Sequence, residues 1–163
     1  MSKSLIIIQP GDYANEDAYE SVLTYLSKKA YVGGYAITIP PTRETLISDF
    51  RRVESASNYQ TARYIWHFVI SLPEKVNYKT LLQMGDQIAM YMAYQYQVVY
   101  ALDLETGHPH LHFAVNTYSY QPNCEPLSED LFERYLQIAL NILQHTFPSY
   151  KAEIKYREEN YYV

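Results

Sequence analysis

The sequence predicts an α+β fold in which helices pack on one side of a mainly antiparallel sheet. Two observations carry this. Long segments with helical spacing alternate with short β-branched and aromatic runs, and two of those runs, Val98 to Leu102 and His110 to Val115, are close enough to pair as a hairpin. The 163 residues suit one domain, residues 1–163, with a single core and without a second, helicase or primase domain.

Taken in order, Ser4 to Gln9 contains Leu5-Ile6-Ile7-Ile8, a strand that Pro10-Gly11 ends. Asn15-Glu16-Asp17 then opens a helix through Lys29, acidic at its start and basic at its end, as the helix dipole favours. Tyr19, Val22, Leu23 and Leu26 form its apolar stripe, and Gly33-Gly34 stops it. Tyr31 to Ile39 reads as irregular or a short strand, closed by Pro40-Pro41. A second helix runs from Arg43 to about Glu54 with Leu46, Ile47 and Phe50 inward. Arg63 to Leu72 is the clearest strand, and Pro73-Glu74-Lys75 turns out of it. Tyr78 to about Gln95 is helical, with Leu81, Leu82, Met84, Ile88 and Met92 on or near one face. After the hairpin, Ser128 starts a helix from Leu131 to about His145, packed through Phe132, Tyr135, Leu136, Ala139, Leu140 and Leu143. His145 sits at the helix's negative end. The tail from Lys151 adds an edge strand.

A hydrophobic share of 48% with 19% charged residues is globular rather than disordered. The net charge of −5 and pI near 5.5 exclude a generically basic nucleic-acid binder. Basic residues are nevertheless concentrated in the first half, at Lys28, Lys29, Arg43, Arg51, Arg52 and Arg63. The 19 tyrosines supply rings for a core and for stacking on bases. A lone Cys124 excludes an internal disulfide, and no segment reads as a signal peptide or spanning helix, so the protein is expected in the cytoplasm, away from membranes.

The chemistry is concentrated in Val98 to Asn116. His108, His110 and His112 recur at every second position, and on a strand His110, His112 and Asn116 share one face while Leu111, Phe113 and Val115 fill the other. Two imidazoles side by side on a strand can hold one divalent cation. A carboxylate folding back from Asp103 or Glu105, across the Thr106-Gly107 turn, would supply a third ligand. Two histidines and a carboxylate with open positions suit an activating Mg²⁺, Mn²⁺ or Zn²⁺ ion.

The run Tyr100-Ala101-Leu102-Asp103, Glu105-Thr106 and His110-Leu111-His112-Phe113-Ala114-Val115-Asn116 resembles the metal site of the HUH endonucleases, and specifically the relaxase (mobilization protein) family. The resemblance implies a ferredoxin-like sheet carrying this motif on a central strand. It implies Asp103, His110 and His112 as metal ligands, with Glu105 as a catalytic residue and His108 as a substitute ligand. Asp103 stands where relaxases usually have their first histidine. Trp66-His67-Phe68-Val69-Ile70-Ser71 resembles another relaxase strand and gives His67 an auxiliary role near the phosphate, beside the plainer reading of a hydrogen-bonded strand histidine.

Relaxases carry a nucleophilic tyrosine before the histidines, and Thr24-Tyr25-Leu26-Ser27-Lys28-Lys29 resembles that segment. Tyr25 is the expected nucleophile, with Lys28 one helical turn on favouring phenolate or holding a phosphate. Tyr19 and Tyr31 are its neighbouring alternatives, and Tyr135 is the choice under the chain order of a rolling-circle replication initiator. The implied activity is metal-dependent nicking and strand transfer on single-stranded DNA at an origin of transfer or replication of a plasmid or other mobile element, alongside other mobilization or replication proteins. The alternative is a DNA-binding accessory protein that keeps the fold and has lost a ligand.

Overall fold

The computed structural model describes residues 3–8, 17–73 and 76–156. The expected turn at Pro10-Gly11, the helix-opening Asn15-Glu16, the Glu74-Lys75 turn and the tail beyond Tyr156 lie outside the described residues. The elements are β1 (Lys3–Ile8), α1 (Asp17–Ser27), β2 (Tyr31–Tyr35), α2 (Arg43–Ala56), β3 (Ile65–Ser71), α3 (Tyr78–Met92), β4 (Tyr96–Asp103), β5 (His110–Ser119), α4 (Glu129–Thr146) and β6 (Lys151–Tyr156).

The six strands form one sheet in the order β2-β4-β5-β3-β1-β6. Every pairing is antiparallel except that of β1 with the edge strand β6. The α+β class and the mainly antiparallel sheet are therefore as the sequence predicts, and β5 lies inside the sheet between β4 and β3.

The helices cover both faces of the sheet, which corrects the one-sided arrangement. On one face, Tyr19, Leu23 and Leu26 of α1 and Leu46 and Phe50 of α2 pack on Ile65, Val99, Ala101 and Ala114. On the other, Leu81, Met84 and Ile88 of α3 and Phe132, Leu136 and Leu143 of α4 pack on Trp66, Phe68, Tyr100, Leu111, Phe113 and Val115. The cause is visible in β3 to β5, where almost every residue is buried, so both pleat faces need apolar cover. Truncating a fully buried ring such as Phe113 or Phe50 would cost about 3–5 kcal/mol.

Local signals set the helix starts. Thr42 caps α2 in a reciprocal capping box with Thr45, Asn77 caps α3, and Ser128 caps α4, whose first turn holds Glu129 and Asp130. Helix α1 ends at Ser27, two residues before the expected end at Lys29. Gly33 and Gly34 do not stop it, because they lie within β2, paired with Tyr100 and Val99 of β4. At Gly34 a Cβ would stand 2.1 Å from the Val98 carbonyl oxygen, so only glycine permits this close approach. Among the described residues no helix is long and apolar enough to cross a membrane.

Candidate active site

The pleat of β5 turns His110, His112, Ala114 and Asn116 toward α1 and α2, as alternation predicts. Antiparallel register sets Asp103 of β4 opposite His110, and Ala101 opposite His112. On the other flank, Val69 of β3 is opposite His112 and His67 is opposite Ala114. His67 and His112 are thus diagonal neighbours; their rings stack with centroids 5.4 Å apart, and His67 Nε2 lies 3.2 Å from His112 Nδ1.

Three groups converge on one carboxylate oxygen. The Tyr25 hydroxyl donates to Asp103 Oδ2 at 3.3 Å, while Lys29 Nζ and His112 Nε2 each stand 3.5 Å from the same atom. The other oxygen, Oδ1, accepts the Glu105 backbone N–H at 2.9 Å. Tyr25 meets His112 edge to face, centroids 5.4 Å apart, and the Lys29 ammonium sits 3.9 Å from the centre of the Tyr25 ring.

The chain reaches this arrangement because α1 stops early. The Lys29 N–H bonds to the Leu26 carbonyl and the Ala30 N–H to Leu102 of β4, so the turn folds Lys29 back over Tyr25 and against the end of β4. The Lys29 side chain is only 4% exposed and that of Asp103 7%, whereas Tyr25 is 45% exposed. The nucleophile expected from the sequence is therefore open to a substrate, and the charges beside it are sheltered.

The electrostatics follow from that shelter. Burial pushes the His112 imidazole down to about 4, against the opposing pull of Asp103, so the ring is neutral at pH 7. Burial would raise Asp103, but the Glu105 N–H, Lys29 and His112 outweigh it and hold the carboxyl below its ordinary value. Burial would lower Lys29, and its bonds to Glu105 and its proximity to Tyr25 and Asp103 outweigh that, leaving the ammonium above its ordinary value. Asp103 is thus a carboxylate that accepts only, with a neutral imidazole beside it.

Several expected residues fall elsewhere. Lys28 is exposed, and Lys29, one residue on, meets Tyr25 and Asp103. The signal was the i to i+4 spacing, but it is the turn after Ser27 that realises the contact. Glu105 touches the site through its N–H and a 3.0 Å ion pair with Lys29, its side chain otherwise facing solvent. His108 is exposed, and its carbonyl accepts from Thr106. Tyr135 is buried among α3 and α4 on the face opposite the histidines, so it is no alternative nucleophile. Tyr19 is sealed against Phe50 and Tyr64, and the exposed Tyr31 leans at a tilt against Tyr100, whose ring packs on the α3 face. Asn116 is structural: its amide donates to Gln97 and to the Phe50 carbonyl.

The Asp103, His110 and His112 ligand set is not assembled around one point. Asp103 and His112 meet, but His110 Nδ1 is engaged 3.0 Å from the Thr106 hydroxyl. Among the described residues no group of three His, Cys, Asp or Glu side chains is arranged to hold a metal ion. The physical reason lies in the charges: the aspartate oxygen nearest the histidines is already matched by the Lys29 ammonium, which stands where a divalent ion would need to approach. As arranged, these residues do not fit a divalent ion.

Comparison with known proteins agrees with the fold and gives the family. The family model described as Relaxase: MobA/VirD2-like, nuclease domain matches residues 14–143, from α1 through most of α4. A solved structure described as "Molecular Basis of Vancomycin Resistance Transfer in Staphylococcus aureus" superposes with a TM-score of 0.66 at 9% identity, over 96% of this chain and 100% of that one. At that identity the likeness concerns the fold. No curated protein is matched. The match from α1 to α4, spanning Tyr25, His67 and the His110-Leu111-His112 strand, places the chain in the MobA/VirD2-like relaxase family as a relaxase nuclease domain.

Proposed function

We propose that this domain nicks single-stranded DNA and transfers the cut strand, with Tyr25 as nucleophile. The observation that carries the reading is the exposed Tyr25 hydroxyl donating to the buried Asp103 carboxylate beside His112. The phenolic oxygen attacks the scissile phosphorus, and Asp103 takes its proton. The bond from phosphorus to the 3′ oxygen breaks, Tyr25 keeps the 5′ phosphate, and the proton passes to the departing oxygen to give a free 3′ hydroxyl. Reversal religates the strand. His112, neutral and steadied by His67, keeps the carboxylate in place.

The substrate is a strand at an origin of transfer or replication of a plasmid or other mobile element, handled in the cytoplasm with other mobilization proteins. The net acidic charge limits binding to a local track of basic groups. Arg43 belongs to that track, because its Nε donates to Thr24 Oγ1 at 2.9 Å, next to Tyr25.

The test incubates the protein with labelled single-stranded oligonucleotides from its genomic neighbourhood, with and without Mn²⁺. A covalent adduct is expected that is lost in Tyr25→Phe and kept in Tyr135→Phe. An adduct that survives Tyr25→Phe would remove Tyr25 from the reaction. Binding without an adduct under any condition would replace the enzyme with a DNA-binding accessory protein.

A further inference from the structure

We propose that Lys29 is the resident cation of this site: its ammonium takes, on the Asp103 carboxylate, the place that a divalent ion would need, so the charge beside Tyr25 is supplied by the chain itself. The proposal rests on the strand-transfer reading for its catalytic consequence, but its central statement concerns cation binding and stands or falls by itself.

Four observations carry it. Both oxygens of Asp103 are committed, Oδ1 to the Glu105 N–H at 2.9 Å and Oδ2 to Tyr25, Lys29 and His112. The Lys29 side chain is buried to all but 4%, although a lysine head leaves water only where partners replace it. Those partners are Asp103 at 3.5 Å, Glu105 at 3.0 Å and the face of Tyr25 at 3.9 Å. The backbone fixes the position as well, because the Ala30 N–H is tied to Leu102, one residue before Asp103. A flexible surface lysine would show none of these restraints.

The remaining donors are arranged around an ammonium rather than a metal. His110 Nδ1 lies 3.0 Å from the Thr106 hydroxyl and His112 Nδ1 lies 3.2 Å from His67 Nε2, so each imidazole already has a protein partner, and the ammonium is the cation within reach of Asp103 Oδ2. A divalent ion placed there would meet a positive charge already in position. For strand transfer, an ammonium against the Tyr25 ring lies beside the oxygen on which negative charge develops as the proton leaves. It also offers hydrogens to a phosphate oxygen approaching that hydroxyl.

The experiment titrates the full, chelator-treated chain with Mn²⁺ and separately with Zn²⁺ by calorimetry, comparing wild type, Lys29→Met and Lys29→Arg. Removing the competing ammonium is expected to tighten metal binding at least about tenfold in Lys29→Met, while wild type and Lys29→Arg stay equally weak. Wild type that binds either metal as tightly as Lys29→Met overturns the proposal. Should Lys29→Met fail to fold, wild type decides alone: stoichiometric Mn²⁺ or Zn²⁺ binding that His112→Ala abolishes overturns the proposal, and weak binding insensitive to that change supports it. With DNA, the Tyr25 adduct is expected to form in wild type and Lys29→Arg in the presence of EDTA, and to need added Mn²⁺ in Lys29→Met. Loss of the wild-type adduct in EDTA overturns the proposal. Absence of an adduct from every variant would instead remove the strand-transfer reading, with the titrations still deciding what Lys29 does.

Discussion

Tyr25 and Asp103 stand 78 residues apart in the chain and 3.3 Å apart in space, hydroxyl to carboxylate. The contact joins the helix that follows the first strand to the last residue of β4, and the hairpin then delivers His112 to the same oxygen. Since Tyr25 is half-exposed and makes one side-chain hydrogen bond to Asp103, Tyr25→Phe should change stability by about 1 kcal/mol or less, measured by urea denaturation. A larger loss would make the phenol a structural group.

The ion pair beneath it should behave as a coupled unit. Asp103→Asn leaves the Lys29 ammonium sheltered with only the exposed Glu105 as anionic partner, and should cost about 1–3 kcal/mol. In the double variant with Lys29→Met the two losses should fall short of additivity by about 1–2 kcal/mol. Denaturant midpoints of the four proteins complete the cycle, and simple addition would show that the pair does not interact.

Acid should weaken the fold earlier than carboxylates alone require. The ordinary His112 value is 6.5 and the folded one about 4, so between these values the unfolded chain binds more protons than the native one. The contribution is complete above pH 6.5 and is lost as the pH falls from there toward 4. Asp103 adds a second loss, because its folded value lies below 3.8 and its stabilisation disappears as the pH drops beneath that. Melting temperatures followed from pH 7 to 4 should decline, and His112→Gln should flatten the decline; an unchanged slope would mean that another group controls it.

Gly34→Ala should loosen the edge of the sheet. The new methyl would meet the Val98 carbonyl oxygen at 2.1 Å, and β2 would have to move away from β4, costing about 1–3 kcal/mol. Hydrogen exchange should accelerate first at residues 31–35 and at Ala30, whose N–H anchors the Lys29 turn.

Much of this was legible in the chain because local chemistry decided it. Ser128 and Asp17 mark helix starts, β-branched runs mark β3 and β4, and alternation in His110-Leu111-His112-Phe113 assigns each side chain to its face. What escaped was set by tertiary geometry. A 3.6-residue stripe tells that α3 and α4 bury one side, and nothing in it says which face of the sheet they cover. Tyr135 and Tyr25 carry the same phenol, and only packing separates a core ring from an accessible hydroxyl. Lys28 was favoured over Lys29 by counting helical turns through residues that form no helix. At the site, position 103 showed its acidic character but not its partner, since a lysine on a distant turn claims it.

The alternation along β5 also fixes where the chain tolerates length changes. An extra residue in the turn at 104–109 would lengthen a loop and leave both layers intact, whereas one inserted between Leu111 and His112 would slide the following side chains to opposite sides. Phe113 would then take the place of Ala114 under α1 and α2 as His112 entered oily surroundings under α3, so a single codon added there would ruin chemistry and folding together, while one added in the turn would spare both packed layers and disturb only the contacts of Glu105 and Thr106.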